Sequence, residues 1–371
     1  MKITGFDIRL VTIPLERIVK WSNVTEATNE MLTLRIETDE GVFGLGQKKL
    51  HPAWAGMTAR MVAHELNEVY VPMLRGLDPL RTEQIWDRID RVAGWSATKT
   101  LIDITLHDLA ARAAGLPMWK YLGGWNDHVE VMGFIARGPA VERIATIAKQ
   151  VESYGFRSFK IKIGTDEKAD CEFLKDIRNE FGDGLLIRVD ANSGYTLDEA
   201  IRVSGRLADL GVVNFEDPCD LRGSSVRREL YRRSALPIVV DNFIDSLRSA
   251  RIVLEEGALV MALKVSRLGY RQAKTIMEAC REHGARVVAG SLTEGALGAL
   301  SALHFHGAFR DFAWSPAEDS YFATLPDDVF ERPPIVDGKI TLSNRSGIAG
   351  DWIAEKLNLL SVPLNGESGQ R

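Results

Sequence analysis

Short apolar runs rich in β-formers end on a charged residue at a steady beat through the middle of this chain: Leu185-Leu186-Ile187-Arg188-Val189-Asp190, Val212-Val213-Asn214-Phe215-Glu216, Ile238-Val239-Val240-Asp241 and Leu259-Val260-Met261-Ala262-Leu263-Lys264. Each of the first three is followed by a turn and a helical stretch, and the ends fall about 25 residues apart, the length of one strand, one helix and two loops. Such a period is an internal βα repeat. It predicts an α/β fold in which parallel strands close into a barrel and their C-terminal ends converge on one mouth. A single acid at a strand end is more often a helix cap or a surface charge. Three in successive units, with a lysine on either side, instead mark Asp190, Glu216 and Asp241 as a cluster at that mouth.

One unit upstream, Ser158-Phe159-Lys160-Ile161-Lys162-Ile163-Gly164 places two lysines at i and i+2 of an apolar strand, on the same face. Two ammoniums side by side in a partly closed cavity disfavour each other's charge, so one amine is expected to titrate nearer neutrality and act as a base. A solvated edge strand with a positive face is the plainer alternative.

With 371 residues the chain exceeds one small core, and two domains are expected, one of them a barrel of about 200–250 residues. The boundaries read as a capping domain over 1–127, the barrel over 128–325 and a segment over 326–371 that returns to the cap. In the cap, strands are expected at 3–11, 31–37 and 41–46 and helices at 59–69, 80–92 and 98–114. The barrel should start at Val129-Glu130-Val131-Met132-Gly133, and Val336 to Leu342 reads as a late hairpin.

The formal net charge of −5, with both signs interspersed, leaves no basic stripe, so nucleic acid is not an expected partner. Cys171, Cys219 and Cys280 are scattered, odd in number and without paired spacing, which argues against a disulfide framework or a zinc ribbon. The alternating opening Lys2-Ile3-Thr4-Gly5-Phe6-Asp7-Ile8 has no basic-then-apolar leader, and no apolar run reaches membrane-spanning length. A cytoplasmic location with no membrane partner, and a homo-oligomeric state, are the expectations.

The lysine-x-lysine strand, Asp190-Ala191-Asn192, Glu216-Asp217-Pro218, Asp241 and Leu263-Lys264-Val265-Ser266-Arg267-Leu268-Gly269 occur in an order and spacing that resembles the enolase superfamily, within it the muconate-lactonizing-enzyme subgroup. Two flanking stretches share the likeness: 96–124, with Gly115-Leu116-Pro117 and Leu122-Gly123-Gly124, and Gly290-Ser291-Leu292-Thr293-Glu294-Gly295-Ala296-Leu297-Gly298. The resemblance implies an α+β cap over a modified TIM barrel of (β/α)7β type. It also implies a divalent ion, Mg²⁺ or alternatively Mn²⁺, held by Asp190, Glu216 and Asp241, with Lys162 and Lys264 as the catalytic pair. The chain departs from the pattern at Asn242, where Glu usually follows the third ligand, and at Gln47, where relatives carry Glu. Both positions lose a negative charge.

The chemistry fits those residue types. Removing a proton α to a carboxylate gives an enediolate with two negative charges on adjacent oxygens, which a hard cation stabilises. Three carboxylates without Cys or His suit an oxygen-ligated ion that leaves positions open for a small-molecule carboxylate substrate. Lys162 and Lys264 are then expected on opposite sides of the reacting carbon, with Lys160 beside Lys162 and near the substrate carboxylate. Further substrate contacts are expected from Asn192 and Ser291 in the matching motifs and from Glu294 and Glu318 near the last strand ends, with a structural hydrogen-bonding role as the alternative for the two glutamates. Two capping-loop segments, Lys20-Trp21-Ser22-Asn23 and Lys48 to Trp54, add Trp21 and Trp54, whose rings with adjacent positive charge suit an anionic substrate with an apolar or cationic part, unless the rings simply pack on the barrel rim and Lys48 and Lys49 are solvated. His51, His283, His304 and His306 lack ligand spacing and are assigned to surface or core.

The expected reaction is racemisation or epimerisation of a substituted amino acid, or a lactonizing cycloisomerisation, with dehydration of a hydroxy acid by the same half-reaction as the alternative. A Schiff-base lyase acting through Lys162 or Lys264, and a non-catalytic protein that keeps a metal for stability, are the readings of another class.

Overall fold

The computed structural model describes residues 1–20, 24–362 and 364. Its N-terminal part is an antiparallel sheet of β1 (Ile3–Lys20), β2 (Thr25–Thr38) and β3 (Phe43–Lys49). The first arm is longer than the expected 3–11. Pro14 cannot donate to a ladder, yet β1 continues past it through a register shift between Pro14 and Val19 and pairs on to Lys20 opposite Thr25.

The expected helices are present at Ala59–Glu65, Thr82–Asp90 and Ser96–Ala113. The first runs on through a π-helical turn, Leu66–Tyr70, into Val71–Leu74, where Pro72 sits in the first turn and needs no N–H partner. Ser96–Ala113 is buried on nearly every side because it lies between the cap sheet and the barrel. It approaches β3 so closely that a Cβ on Gly44 would fall 2.2 Å from the Thr105 carbonyl, so glycine is required there.

Eight strands follow: β4 (His128–Glu130), β5 (Gly133–Ile135), β6 (Ser158–Lys162), β7 (Leu186–Asp190), β8 (Val212–Glu216), β9 (Ile238–Val240), β10 (Val260–Leu263) and β11 (Arg286–Ala289). Seven of them, β5 to β11, form one parallel sheet in chain order, each joined to the next by a helix. The segment at Ala317 and Glu318 bridges its edges: Ala317 pairs with Val131, and the Glu318 N–H donates to the Ala289 carbonyl at 3.3 Å. This is the expected modified barrel with its separate cap.

Two sequence expectations need correction. β4 lies outside the barrel sheet, which starts at β5, and the late hairpin is only a turn at Asp337-Gly338. The residues after that turn, β12 (Lys339–Thr341), pair antiparallel with β4 instead. Three-residue strands carry too little periodicity to reveal a partner some 200 positions away in sequence. Finally β13 (Ser361–Val362) pairs with β1, bringing the chain back to the cap sheet at these two residues.

One large apolar cluster fills the barrel and its helices, and a second joins the cap sheet to the cap helices. The three cysteines are buried free thiols. Among the described residues, no helix is long and apolar enough to cross a membrane.

Candidate active site

Parallel register sets the site. Lys162 stands opposite Asp190, and Asp190 opposite Glu216; two residues deeper on the same face, Lys160 stands opposite Arg188 and Arg188 opposite Asn214. The ammonium of Lys162 donates to Asp190 Oδ2 at 2.5 Å and to Asn192 Oδ1 at 2.7 Å. Lys160 donates to Glu216 at 2.6 Å and to Glu318 at 2.9 Å, and lies 3.2 Å from Asp190. Across the mouth, Lys264 donates to Asp241 Oδ2 at 2.6 Å, while Arg267 donates to the other carboxylate oxygen at 3.1 Å and to the Asp241 carbonyl at 2.7 Å. The Lys264 chain lies against Gly290, where a Cβ would come within 3.0 Å of its Cε and Cγ.

Local backbone holds these groups in place. Asn192, Ser193 and Asp217, just after two of the strand ends, have φ values of 43°, 63° and 36°, a left-handed conformation costly for non-glycine residues and common where a site is built. Asp217 accepts the N–H groups of Asp241 and Asn242 at 3.0 and 2.9 Å, fixing the turn that carries the third carboxylate.

The electrostatics follow from burial and pairing. Burial alone would raise Asp190 and Asp241, but Lys162 and Lys160 outweigh it for Asp190, and Lys264 and Arg267 for Asp241, holding both well below the usual carboxylate range. Lys160, the lysine expected beside Lys162, stays charged. Burial lowers it, but Glu216, Glu318, Asp190 and Asp241 together hold its ammonium well above the ordinary lysine range, so it is a fixed cation. Glu216 is pushed well above its usual range by burial, against the pull of Lys160, with Asp190, Glu318 and Asp241 adding to the rise.

As the side chains stand, each carboxylate is turned onto an ammonium or guanidinium. Among the described residues no group of three or more His, Cys, Asp or Glu is closed around a metal position. The donor set nevertheless fits a hard cation. All three carboxylates come from neighbouring strands and are 1% exposed, and Glu216 Oε2 accepts no hydrogen bond, with the Arg188 guanidinium 3.6 Å away. A divalent ion would relieve both that orphaned oxygen and the surplus negative charge that raises Glu216.

Above the strand ends a cavity of about 660 Å³ lies between barrel and cap. Lys160, Lys162, Asn192, Asp241, Lys264, Ser291, Glu318 and Trp54 all line it. Asp190 and Glu216 sit just behind, bonded to the lysines that do. Glu294 does not line it: one carboxylate oxygen accepts the Ser266 hydroxyl and the other accepts Ser291 Oγ at 2.6 Å and the Leu292 N–H at 2.9 Å, so its role is to hold that loop. Trp21 lies outside the described residues. None of the four histidines bonds to Asp190, Glu216 or Asp241 among the described residues; His304 and His306 are buried, with His304 accepting the Trp119 N–H at 3.2 Å and His306 lying 3.2 Å from Asp319.

Lys48 and Lys49 are not solvated. They are 3% and 2% exposed; Lys49 pairs with Glu26 at 3.0 Å, and Lys48 donates to the Ser266 carbonyl and lines the cavity. Gln47 is also buried, and its Oε1 accepts the Gly298 N–H at 3.1 Å, so the charge lost there belongs to a contact between cap and barrel helix. Sequence reasoning gave no role to two participants, Arg267 and Arg188. The last carried a usable signal, since an arginine two residues before Asp190 in an apolar strand repeats the logic of Lys160 before Lys162.

Residues 6–123 match the N-terminal domain of the mandelate racemase/muconate lactonizing enzyme family, and residues 142–355 match its enolase C-terminal domain-like partner. The chain belongs to this family. A cis-3-hydroxy-L-proline dehydratase from Roseibium aggregatum is 31% identical over 94% of this chain and 95% of its own length. An L-Ala-D/L-Glu epimerase from Bacillus subtilis is 27% identical over 84% of this chain and 86% of its own. The crystal structure of muconate lactonizing enzyme from Pseudomonas fluorescens superposes with a TM-score of 0.92 over 97% of this chain and 99% of that one, at 24% identity, a likeness of fold. The family members similar to this chain are thus enzymes, both isomerases and a dehydratase.

Proposed function

We propose that this chain catalyses metal-dependent removal of the proton α to a substrate carboxylate, with racemisation or epimerisation of a substituted amino acid as its outcome. One observation carries the reading: Lys162 and Lys264 reach a single cavity from opposite sides, each anchored to a carboxylate at one end of the Asp190, Glu216, Asp241 row. A base on each face is what a 1,1-proton transfer needs, since one amine removes the proton and the other returns it to the opposite face. Neither lysine is required to hold a metal, which speaks against a purely structural site. Asp190, Glu216 and Asp241 would hold Mg²⁺ or Mn²⁺, which when bound supplies Lewis-acid stabilisation of the charge that develops on the substrate carboxylate.

The remaining side chains have roles set by their contacts. Lys160, fixed as a cation by four carboxylates, is placed to attract the substrate carboxylate, and Glu318, itself held by Arg188, keeps it there. Asn192 orients Lys162, and Arg267 orients Asp241. Trp54 and Ser291 meet the substrate from the cavity wall. A cytoplasmic homo-oligomer acting on small carboxylates completes the proposal.

A β-elimination from a hydroxy-substituted amino acid is the second reading, favoured by the 31% identical dehydratase that spans nearly the whole chain. Cycloisomerisation uses the same bases. The test is proton exchange: the Mg²⁺-loaded enzyme is incubated in D₂O with a panel of amino and N-acylamino acids, cis-3-hydroxy-L-proline included, and followed by NMR. The reading requires α-deuterium in at least one of them and its loss with excess chelator; exchange that survives the chelator overturns it.

A further inference from the structure

Among the described residues four lysines line the cavity, and three have the nitrogen engaged by a carboxylate: Lys160 by Glu216 at 2.6 Å, Lys162 by Asp190 at 2.5 Å and Lys264 by Asp241 at 2.6 Å. Lys48 is the exception. It stands on β3 of the cap, 3% exposed, and its amine donates to the carbonyl of Ser266, two residues beyond Lys264 on the barrel. Among the described residues it makes no ion pair, whereas the adjacent Lys49 has Glu26 at 3.0 Å. A carbonyl oxygen accepts from a neutral amine as well as from an ammonium, so this contact does not oblige Lys48 to carry a charge.

The charged groups around it do not supply the missing anion. Glu294 has both oxygens engaged by Ser266, Ser291 and Leu292, and Arg267 is a further cation, turned onto Asp241. Burial pushes Lys48 down to about 7, with Glu294 pulling it up and Arg267 pushing it further down. A lysine desolvated beside another cation has its lone pair free to attack a carbonyl carbon. We propose that Lys48 is a covalent carbonyl-binding site, its amine forming a reversible imine with a small aldehyde or ketone that enters the cavity between cap and barrel. The Nζ lone pair makes the C–N bond, the two N–H hydrogens of the neutral amine pass to the carbonyl oxygen, and that oxygen leaves as water. No oxidant or reductant takes part. An imine formed there occupies space that a substrate needs, so it blocks the site until it hydrolyses. The inference does not rest on the α-proton reading, since it concerns an amine that reading leaves unused.

The test treats the Mg²⁺-loaded enzyme at pH 7 with butanal and cyanoborohydride, whose hydride reduces an imine to a stable secondary amine, and maps the butylated lysines by peptide mass spectrometry. Lys48 should label at least about 10-fold faster than any other lysine, because its neutral fraction at pH 7 exceeds that of an ordinary lysine by a factor on the order of 10³. Its labelling should level off above pH 7 to 8, while that of exposed lysines keeps rising through pH 9. Lys48→Arg should lose this one label and still melt cooperatively. Labelling of Lys48 no faster than that of the exposed lysines, or no faster than that of Lys162 and Lys264, overturns the inference, and the unmodified protein alone decides it. Failure of α-exchange in D₂O would remove the proposed reaction and leave this site standing.

Discussion

Lys162 faces Asp190 across the parallel register of β6 and β7, and its ammonium donates to Asp190 Oδ2 at 2.5 Å. The amine proposed to remove the proton is therefore tied to a carboxylate proposed to hold the metal. Placement of the base and of the charge that stabilises its product come from one pair of adjacent strands.

Metal dependence is testable without turnover. Mg²⁺ should raise the melting temperature of the protein in a concentration-dependent way, since an ion that binds only the folded state stabilises it by mass action. Glu216→Gln should abolish both that rise and activity while still melting cooperatively. A magnesium-induced shift of the same size in Glu216→Gln would remove Glu216 from the ligand set.

Lys48 makes stability depend on pH in a defined direction. Its folded value of about 7 lies below the ordinary lysine value of 10.5, so between these the unfolded chain binds more protons and stability rises with pH. Relative to Lys48→Met, the unmodified protein should gain on the order of 1 kcal/mol per pH unit from 7 toward 10. Denaturant unfolding of both proteins at pH 7, 8 and 9 measures it, and parallel stability curves would show that Lys48 keeps its charge when buried.

Trp54 lies half-buried on the cap side of the cavity, in the short helix Pro52–Ala55 that follows β3. Trp54→Ala should raise KM or change substrate preference about tenfold or more while shifting the melting temperature little, because a loop ring contributes less to the core than to what it faces. A large loss of melting temperature with unchanged kinetics would place the ring in the packing between cap and barrel.

The barrel and its acidic row were legible because parallel strands buried on both faces read as unbroken apolar runs, and a charge that ends such a run stands out. Val212–Glu216 coincides with its run, and the other strand ends fall within a residue or two. The pairing of β4 with β12 was not legible, since three residues supply no period. Lys48 and Lys49 were left undecided between a substrate-facing charge and a solvated one, for a different reason. Adjacent lysines after a strand look like a solvated edge, and only the barrel and the Glu26 arm closing over β3 bury them. Glu294 stood open between a substrate contact and a structural role, and its hydrogen bonds within 291–294 and to Ser266, visible only in three dimensions, decide for the second.

The central claim is that Lys162 and Lys264 act on opposite faces of one α-carbon. The direct measurement is α-hydrogen exchange in D₂O with Mg²⁺, run with each enantiomer of a substrate on Lys162→Ala and Lys264→Ala. Each variant should stop racemisation and slow its own face by about 10²- to 10⁴-fold, the usual contribution of a general base, so that at most one enantiomer still exchanges, a different one in each variant. Exchange of both enantiomers by both variants would contradict the two-base account.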